Sequence, residues 1–334
     1  MKLLFIWVLL SVYFNNFVES TKLPLDTGDG LIFCCQDDEE VITTSKPLQR
    51  PQIHKGNNGE RISEQKCREY SRRFCNTACA QGGTSVITPG KYPHMVALGW
   101  REKGEANFSW LCGGSLLSEN YVLTAGHCTN SRTSGRPNTV RLGELDFSKD
   151  DTELQDIPIE SIIAHPEYQF PNVYHDLALL KLATPARLTS LIRPVCLWQN
   201  ETITRTTGQA SGWGKTSRYG DRSKVLQEVE LSFFTNEKCR EIYGQTRKMK
   251  QGMIPEQLCA GPSPGGRDIC QTGFGGGPLT VSEENDCFAC VHRQVGITSF
   301  GKPCGSTDPD VYTRISSYLD WIEGVVWPAT HDQL

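Results

Sequence analysis

The sequence lacks an excess of charge of either sign. Its 334 residues carry 34 lysines and arginines against 38 aspartates and glutamates, for a formal net charge of −4. Bulk electrostatics therefore give no support to a nucleic-acid or other polyanionic partner. After Phe14 no apolar run approaches the roughly 20 residues that a membrane helix needs, which excludes a helical span. Repeats of solenoid period and low-complexity tracts are missing too, so the chain is no repeat array. Paired Cys/His groups at zinc-ligand spacing are also lacking. Cys287-Phe288-Ala289-Cys290 stands without a second pair nearby and reads better as a local disulfide. No cofactor and no metal are expected.

What is present points outside the cell. Met1-Lys2 is a short basic start, Leu3 to Phe14 is almost continuously apolar, and Val18-Glu19-Ser20 offers small residues at cleavage-compatible spacing. Residues 1–20 read as an export signal, with the mature chain starting near Thr21. Export makes the 14 cysteines readable as disulfides. Two sequons, at Asn107 and Asn200, agree with a secreted glycoprotein.

The chain changes texture near residue 80. Residues 21–79 are polar and discontinuous, with an acidic run from Asp37 to Glu40 and no strong periodicity. They read as a linker with Cys34 and Cys35 at one end and Cys67, Cys75 and Cys79 at the other. Beyond it, short apolar or alternating runs recur between turn residues: Met95–Trp100, Cys112–Leu117, Tyr121–Thr124, Thr139–Leu142, Ile157–Ile163, Leu177–Leu182, Leu226–Phe234, Gly296–Phe300 and Val311–Ile315. Many short strands at such spacing indicate an all-β sandwich or barrel. Tyr318 to Ile322 has helical spacing and reads as a docked C-terminal helix. Residues 80–328 form the main domain and 329–334 a tail.

Leu123-Thr124-Ala125-Gly126-His127-Cys128 resembles the histidine motif of trypsin- and chymotrypsin-like serine peptidases. Asp176-Leu177-Ala178-Leu179-Leu180 resembles their aspartate motif. Cys112-Gly113-Gly114-Ser115, Gly212-Trp213-Gly214, Gly276-Gly277-Pro278-Leu279 and Pro309-Asp310-Val311-Tyr312 follow in the family's order from about residue 80 onward. The resemblance implies two six-stranded antiparallel β-barrels with an active cleft between them.

In that family a serine is activated by the histidine, which the aspartate orients. The matching loop reads Cys270-Gln271-Thr272-Gly273-Phe274-Gly275-Gly276-Gly277-Pro278, one residue longer than the family's. Aligned from Pro278 the nucleophile position holds Gly275; aligned from Cys270 it holds Phe274. Neither side chain can attack a carbonyl. Thr272 is the one hydroxyl in the loop, and it stands on the Cys270 side. Losing the nucleophile costs roughly a millionfold in turnover, about 8 kcal/mol of barrier. The activation site departs as well: Cys79-Ala80-Gln81-Gly82-Gly83 has neither the basic residue nor the apolar new N-terminus, and the loop has no aspartate to receive that terminus. Losing both partners of a buried ion pair is better tolerated than losing one.

The resemblance assigns Asp268 to the base of a specificity pocket and puts Asp310 where its wall usually has glycine. A carboxylate there obstructs the pocket or sits beside Asp268, and both read as relics. His127 and Asp176 then persist as a buried hydrogen-bonded pair, and Phe300 after Ser299 takes a substrate-strand position. The resemblance implies disulfides Cys112–Cys128, Cys239–Cys259 and Cys270–Cys304. It also implies a tether from Cys196 to Cys67, because the stretch before Cys67 resembles the linker of snake-like clip-domain proteases of arthropods. Leu31-Ile32-Phe33-Cys34-Cys35 resembles the end of a clip domain, a truncated remnant. Cys34 and Cys35 can pair with Cys75 and Cys79, with each other or with another chain, and Cys75 can pair with Cys79.

The function expected is a secreted, non-catalytic serine protease homologue. It would bind proteases, zymogens or microbial surface ligands in an extracellular immune cascade. An active endopeptidase with a rearranged site and an inhibitor-binding decoy are the alternatives.

Overall fold

Turn-punctuated apolar runs become strands wherever two faces must be buried at once. In the computed structural model the described residues are 59–74, 87–101, 105, 107–131, 133–149, 153–215, 219–262, 275–282, 291–302 and 306–328. The first six strands are β1 (Met95–Trp100), β2 (Ser109–Ser118), β3 (Tyr121–Thr124), β4 (Thr139–Leu142), β5 (Gln155–Ala164) and β6 (Ala178–Leu182). They form a closed antiparallel barrel in the order β1-β2-β3-β6-β5-β4, with β4 returning to β1. Val96, Leu98, Leu116, Val122, Leu142 and Leu180 are fully buried and belong to one apolar cluster.

The second barrel follows the same logic. Its strands are β8 (Thr207–Gly212), β9 (Gln227–Phe234), β10 (Gln257–Gly261), β11 (Pro278–Ser282), β12 (His292–Phe300) and β13 (Asp310–Arg314). The ring runs β11-β8-β9-β10-β13-β12 and closes through a β11–β12 pairing; the short β7 (Cys196–Leu197) adds to β12 in parallel. Closure removes exposed strand edges. The two-barrel expectation is thus met.

Between the barrels lies a third cluster. Trp213, fully buried, packs with Ile87, Tyr92, Met95, Ala97 and Leu226. The Ser115 hydroxyl of β2 donates to Gln294 of β12 across 2.6 Å, so a buried polar bond fixes the register of one barrel on the other. Both partners are completely buried, where an unpaired polar group is costly.

Two helices end the elements of the barrels. Helix α2 (Asn236–Tyr243) starts at Thr235, whose side chain accepts from the Lys238 amide. Cys239 on α2 is joined to Cys259 of β10. Helix α3 (Leu319–Val326) follows a 3-10 turn, Ile315–Tyr318, and buries Leu319, Ile322 and Val326 against the first barrel. The expected C-terminal helix therefore begins one residue later than its spacing suggests and runs further.

The stretch read as linker contains a helix, α1 (Ile62–Arg73). Its buried positions are Ser63, Cys67 and Tyr70, a stripe at helical spacing that contains no aliphatic residue. That is why apolar periodicity missed it. The Glu323 carboxylate on α3, itself fully buried, accepts from the Ser63 amide (3.2 Å) and from the Ser63 hydroxyl. One orphan amide of the first helical turn thus finds an anionic partner. Arg61 pairs with Glu323 at 2.9 Å, and Glu64 accepts a bidentate pair of bonds from Arg293 on β12, at 2.6 and 2.9 Å. A disulfide joins Cys67 to Cys196 of β7.

Candidate active-site cleft

The turn after β3 carries the histidine. Thr124 is buried at the end of β3, and the 3-10 turn Gly126–Thr129 follows at once, held by the Cys112–Cys128 disulfide and by the Thr129 hydroxyl on the Gly126 carbonyl (2.7 Å). Asp176 sits just before β6, only 3% exposed. Its Oδ1 accepts the His127 amide at 2.8 Å, and its Oδ2 faces His127 Nδ1 at 2.8 Å. The Ser299 hydroxyl donates to Oδ2, and the Thr313 hydroxyl donates to the Asp176 carbonyl at 3.0 Å. The carboxylate is satisfied from both barrels. Ser299 lies 123 positions from Asp176, and sequence reading gave it no role of its own.

Burial alone would press the His127 pKa down. The Asp176 charge and hydrogen bond overcome it, and the pKa ends above the usual 6.5. For Asp176, burial works upward, and the charge of His127 together with the bonds from His127 and Ser299 brings it below the ordinary aspartate value. The protonated His127 thus stabilises the fold fully below pH 6.5, and this contribution is lost as pH rises through the raised value. The His127 ring proton signals in NMR should titrate above pH 6.5 and move below it in Asp176→Asn, where burial is left unopposed. His292, which burial pushes down to about 4, is an internal reference that should stay neutral over the same range. Titration of His127 below 6.5 in the unaltered protein would remove the ion pair from this account.

Gly275 faces the other side of the imidazole. Its carbonyl accepts the Gly113 amide of β2 at 3.0 Å, while the next amide, Gly276, donates to Thr298 of β12 at 2.9 Å. The chain is therefore pinned to both barrels at this point. Gly276 has φ of 84°, in the left-handed region that glycine tolerates, and a Cβ there would fall 2.2 Å from Thr124 Oγ1. A Cβ on Gly275 would fall 2.2 Å from His127 Nε2 and 2.9 Å from Cε1. The ring occupies the space that a side chain at 275 would need. Gly275 therefore lies directly against the histidine. Among the described residues no side chain hydrogen-bonds His127 Nε2.

Asp310 stands in β13 opposite Ala260, half-buried; burial first and its charge second raise the phenol pKa of Tyr243 and of Tyr312. A Cβ at Gly261, beside it in β10, would lie 2.5 Å from Pro309 Cα, so backbone closely lines this wall. Phe300 packs edge-on to Tyr243 with ring centres 5.4 Å apart. Asn107 and Asn200 are exposed. Asp268, Thr272, Phe274, Cys270, Cys304, Cys34, Cys35, Cys75, Cys79, Cys287 and Cys290 lie outside the described residues.

Two closed antiparallel barrels with a histidine–aspartate pair set between them define the chymotrypsin-like class of serine peptidase folds. Residues 81–322 match the family model for trypsin, and the chain belongs to the trypsin family. It is 41% identical over 290 residues to "Serine protease snk" of Drosophila melanogaster, covering 80% of this chain and 66% of that protein. Identity to "Serine protease Hayan" of the same species is 37% over 250 residues, covering 73% of this chain and 38% of the relative. "Clotting factor G beta subunit" of Tachypleus tridentatus is 33% identical over 257 residues, covering 73% and 79%. The chain thus spans just under two thirds of the first of these relatives and well under half of the second. Among the described residues no helix is long and apolar enough to cross a membrane.

Proposed function

We propose that this protein is a secreted, non-catalytic member of its family that acts by binding, as a partner or cofactor in an extracellular proteolytic cascade. The observation that carries the reading is Gly275: the residue against His127 Nε2 has no side chain, and the ring has taken up the space a nucleophile would need. Without an attacking atom the His127–Asp176 pair has nothing to activate. The missing loop aspartate and the Cys79-Ala80 sequence at the activation position support the same reading. The binding role is supported by a histidine–aspartate pair that residues of both barrels still hold in place. The cascade setting is suggested by the name of the clotting-factor relative. Secretion rests on the export-like N-terminus, the cysteine content and two exposed sequon asparagines. Proteases, zymogens or microbial surface ligands are the partners such a protein would hold.

The test uses a fluorophosphonate, which labels an activated serine. The purified protein should remain unlabelled before and after trypsin treatment. A variant with Thr272 deleted, Phe274→Asp, Gly275→Ser, Cys79→Arg, Ala80→Ile and Gln81→Val rebuilds the family's loop and cleavage sequence, and it should become labelled after trypsin. Labelling of the unaltered protein would mean that a hydroxyl such as Thr272 serves as nucleophile, and the non-catalytic reading would fall.

A further inference from the structure

The segment that leaves β5 and returns to β6 brings two histidines and a glutamate together. Its base is closed by the His165 amide on the Leu177 carbonyl (3.1 Å) and by the Leu177 amide on the His175 carbonyl (2.8 Å). The two imidazoles lie nearly parallel, with centres 5.5 Å apart and planes 16° apart. His165 is 8% exposed, wedged edge-on between Tyr318 and Trp321 at 5.1 and 5.0 Å, so its ring orientation is set by packing. His175 is the described non-glycine residue with positive φ, 52°, an uncommon backbone state that surrounding structure must hold in place. Its Nδ1 lies 3.0 Å from the Tyr318 hydroxyl and 3.8 Å from a Glu167 carboxylate oxygen. Glu167 is 68% exposed, leaving the group open to solvent on one side.

One ring nitrogen from each histidine and one Glu167 oxygen all lie within 4.8 Å of one another. We propose that His165, Glu167 and His175 form a binding site for one divalent transition-metal ion of the zinc class. Two imidazoles and one carboxylate are a donor set that suits zinc, with water free to complete four-coordination from the open side. Zinc–nitrogen bonds of about 2.0–2.1 Å require ligand atoms ~3.3 Å apart in a tetrahedron, so the group, spread over as much as 4.8 Å, must contract by up to about 1.5 Å. The mobile partner is the exposed Glu167 carboxylate, while the packed His165 ring supplies a fixed ligand. Two bonds compete: His165 Nδ1 takes a 3.3 Å bond from the Glu167 amide, and the 3.0 Å contact of His175 Nδ1 with the Tyr318 hydroxyl must yield if that nitrogen holds the ion. The other Cys/His grouping, Cys112, His127 and Cys128, is no site, because its two sulfurs are joined in a disulfide. No metal was expected from sequence, since the three residues span a loop with no recognised ligand spacing. A bound ion would clamp the residue directly before Asp176 and stiffen the segment that orients His127.

The experiment is isothermal titration of the chelator-treated full chain with zinc chloride. One ion should bind per chain, and copper(II) at the same site should quench fluorescence of Trp321, which touches His165. Glu167→Ala should weaken zinc binding tenfold or more, and His175→Asn should abolish it, since even outer-shell changes cost 10- to 100-fold. Glu167 is exposed, so its variant tests the site without threatening the fold, and unchanged affinity there overturns the proposal. So does the absence of saturable zinc binding in the unaltered protein, or an undiminished stoichiometry in the Glu167→Ala, His175→Asn double variant.

Discussion

Gly275→Ser by itself should leave the protein unlabelled by a fluorophosphonate and without measurable peptide hydrolysis, although it returns the missing hydroxyl. The reason is steric before it is chemical. The new Cβ would stand 2.2 Å from His127 Nε2, so the ring must swing away before any serine fits. That ring is held by Asp176 through both its Nδ1 and its backbone amide, and Asp176 is held in turn by Ser299 and Thr313. Forcing a side chain into a filled site costs typically 1–3 kcal/mol, so the variant should melt earlier while gaining no activity. A functional serine also needs hydrogen-bond donors placed for the developing oxyanion, and their loss costs another 10²–10³ in turnover. The loop here retains its extra residue and lacks its aspartate. The gap between this single variant and the rebuilt loop should therefore approach the millionfold that the triad contributes. Labelling of Gly275→Ser alone would show that His127 already moves aside in solution, and that one residue separates this chain from a protease.

Opening the tether of α1 should have the largest effect on stability. In the Cys67→Ala, Cys196→Ala double variant a cross-link between residues 129 apart is lost. For a loop of that size the chain-entropy account gives about 5 kcal/mol, and native disulfides removed from small secreted domains cost 2–5. Against total stabilities of roughly 5–15 kcal/mol, that is a third or more of the whole. The variant should unfold at clearly lower urea concentration. Amide exchange should rise first in α1, whose remaining anchors are polar: Ser63 on Glu323, Glu64 on Arg293, Tyr70 on Glu119. If α1 stays protected and the urea midpoint does not move, those polar contacts alone hold the helix. The covalent bond would then matter only to a chain cut elsewhere.

The titration of His127 and the zinc measurement probe the same neighbourhood from two sides. His175 and Asp176 are consecutive, one facing the metal-ligand cluster and the other the histidine of the cleft. A shift of the His127 signals on adding zinc would connect the two sites through a single peptide unit.

Much of this protein was legible in its sequence because the signals are local. Strands such as Met95–Trp100, Tyr121–Thr124 and Thr139–Leu142 announce themselves by short apolar runs between turn residues, and they appear with those bounds. The motifs around His127 and Asp176 are likewise contiguous. Strands β8, β10 and β11 were not read as strands, since Thr207–Gly212 and Gln257–Gly261 are rich in Gly, Ala and polar residues. Tertiary closure of a barrel, rather than local propensity, makes them extended. Helix α1 escaped because its buried stripe is Ser, Cys and Tyr, and only a disulfide and a buried carboxylate on α3 give those residues a reason to face inward. The sequence by itself determined that no serine stands in the nucleophile loop. It left open whether Gly275 or Phe274 lies at the histidine, because an inserted residue shifts one-dimensional alignment without fixing where the slack is taken up. Tertiary structure supplied what one dimension lacks, tying the Gly275 carbonyl to Gly113 and the Gly276 amide to Thr298, which holds position 275 against the ring from two barrels at once.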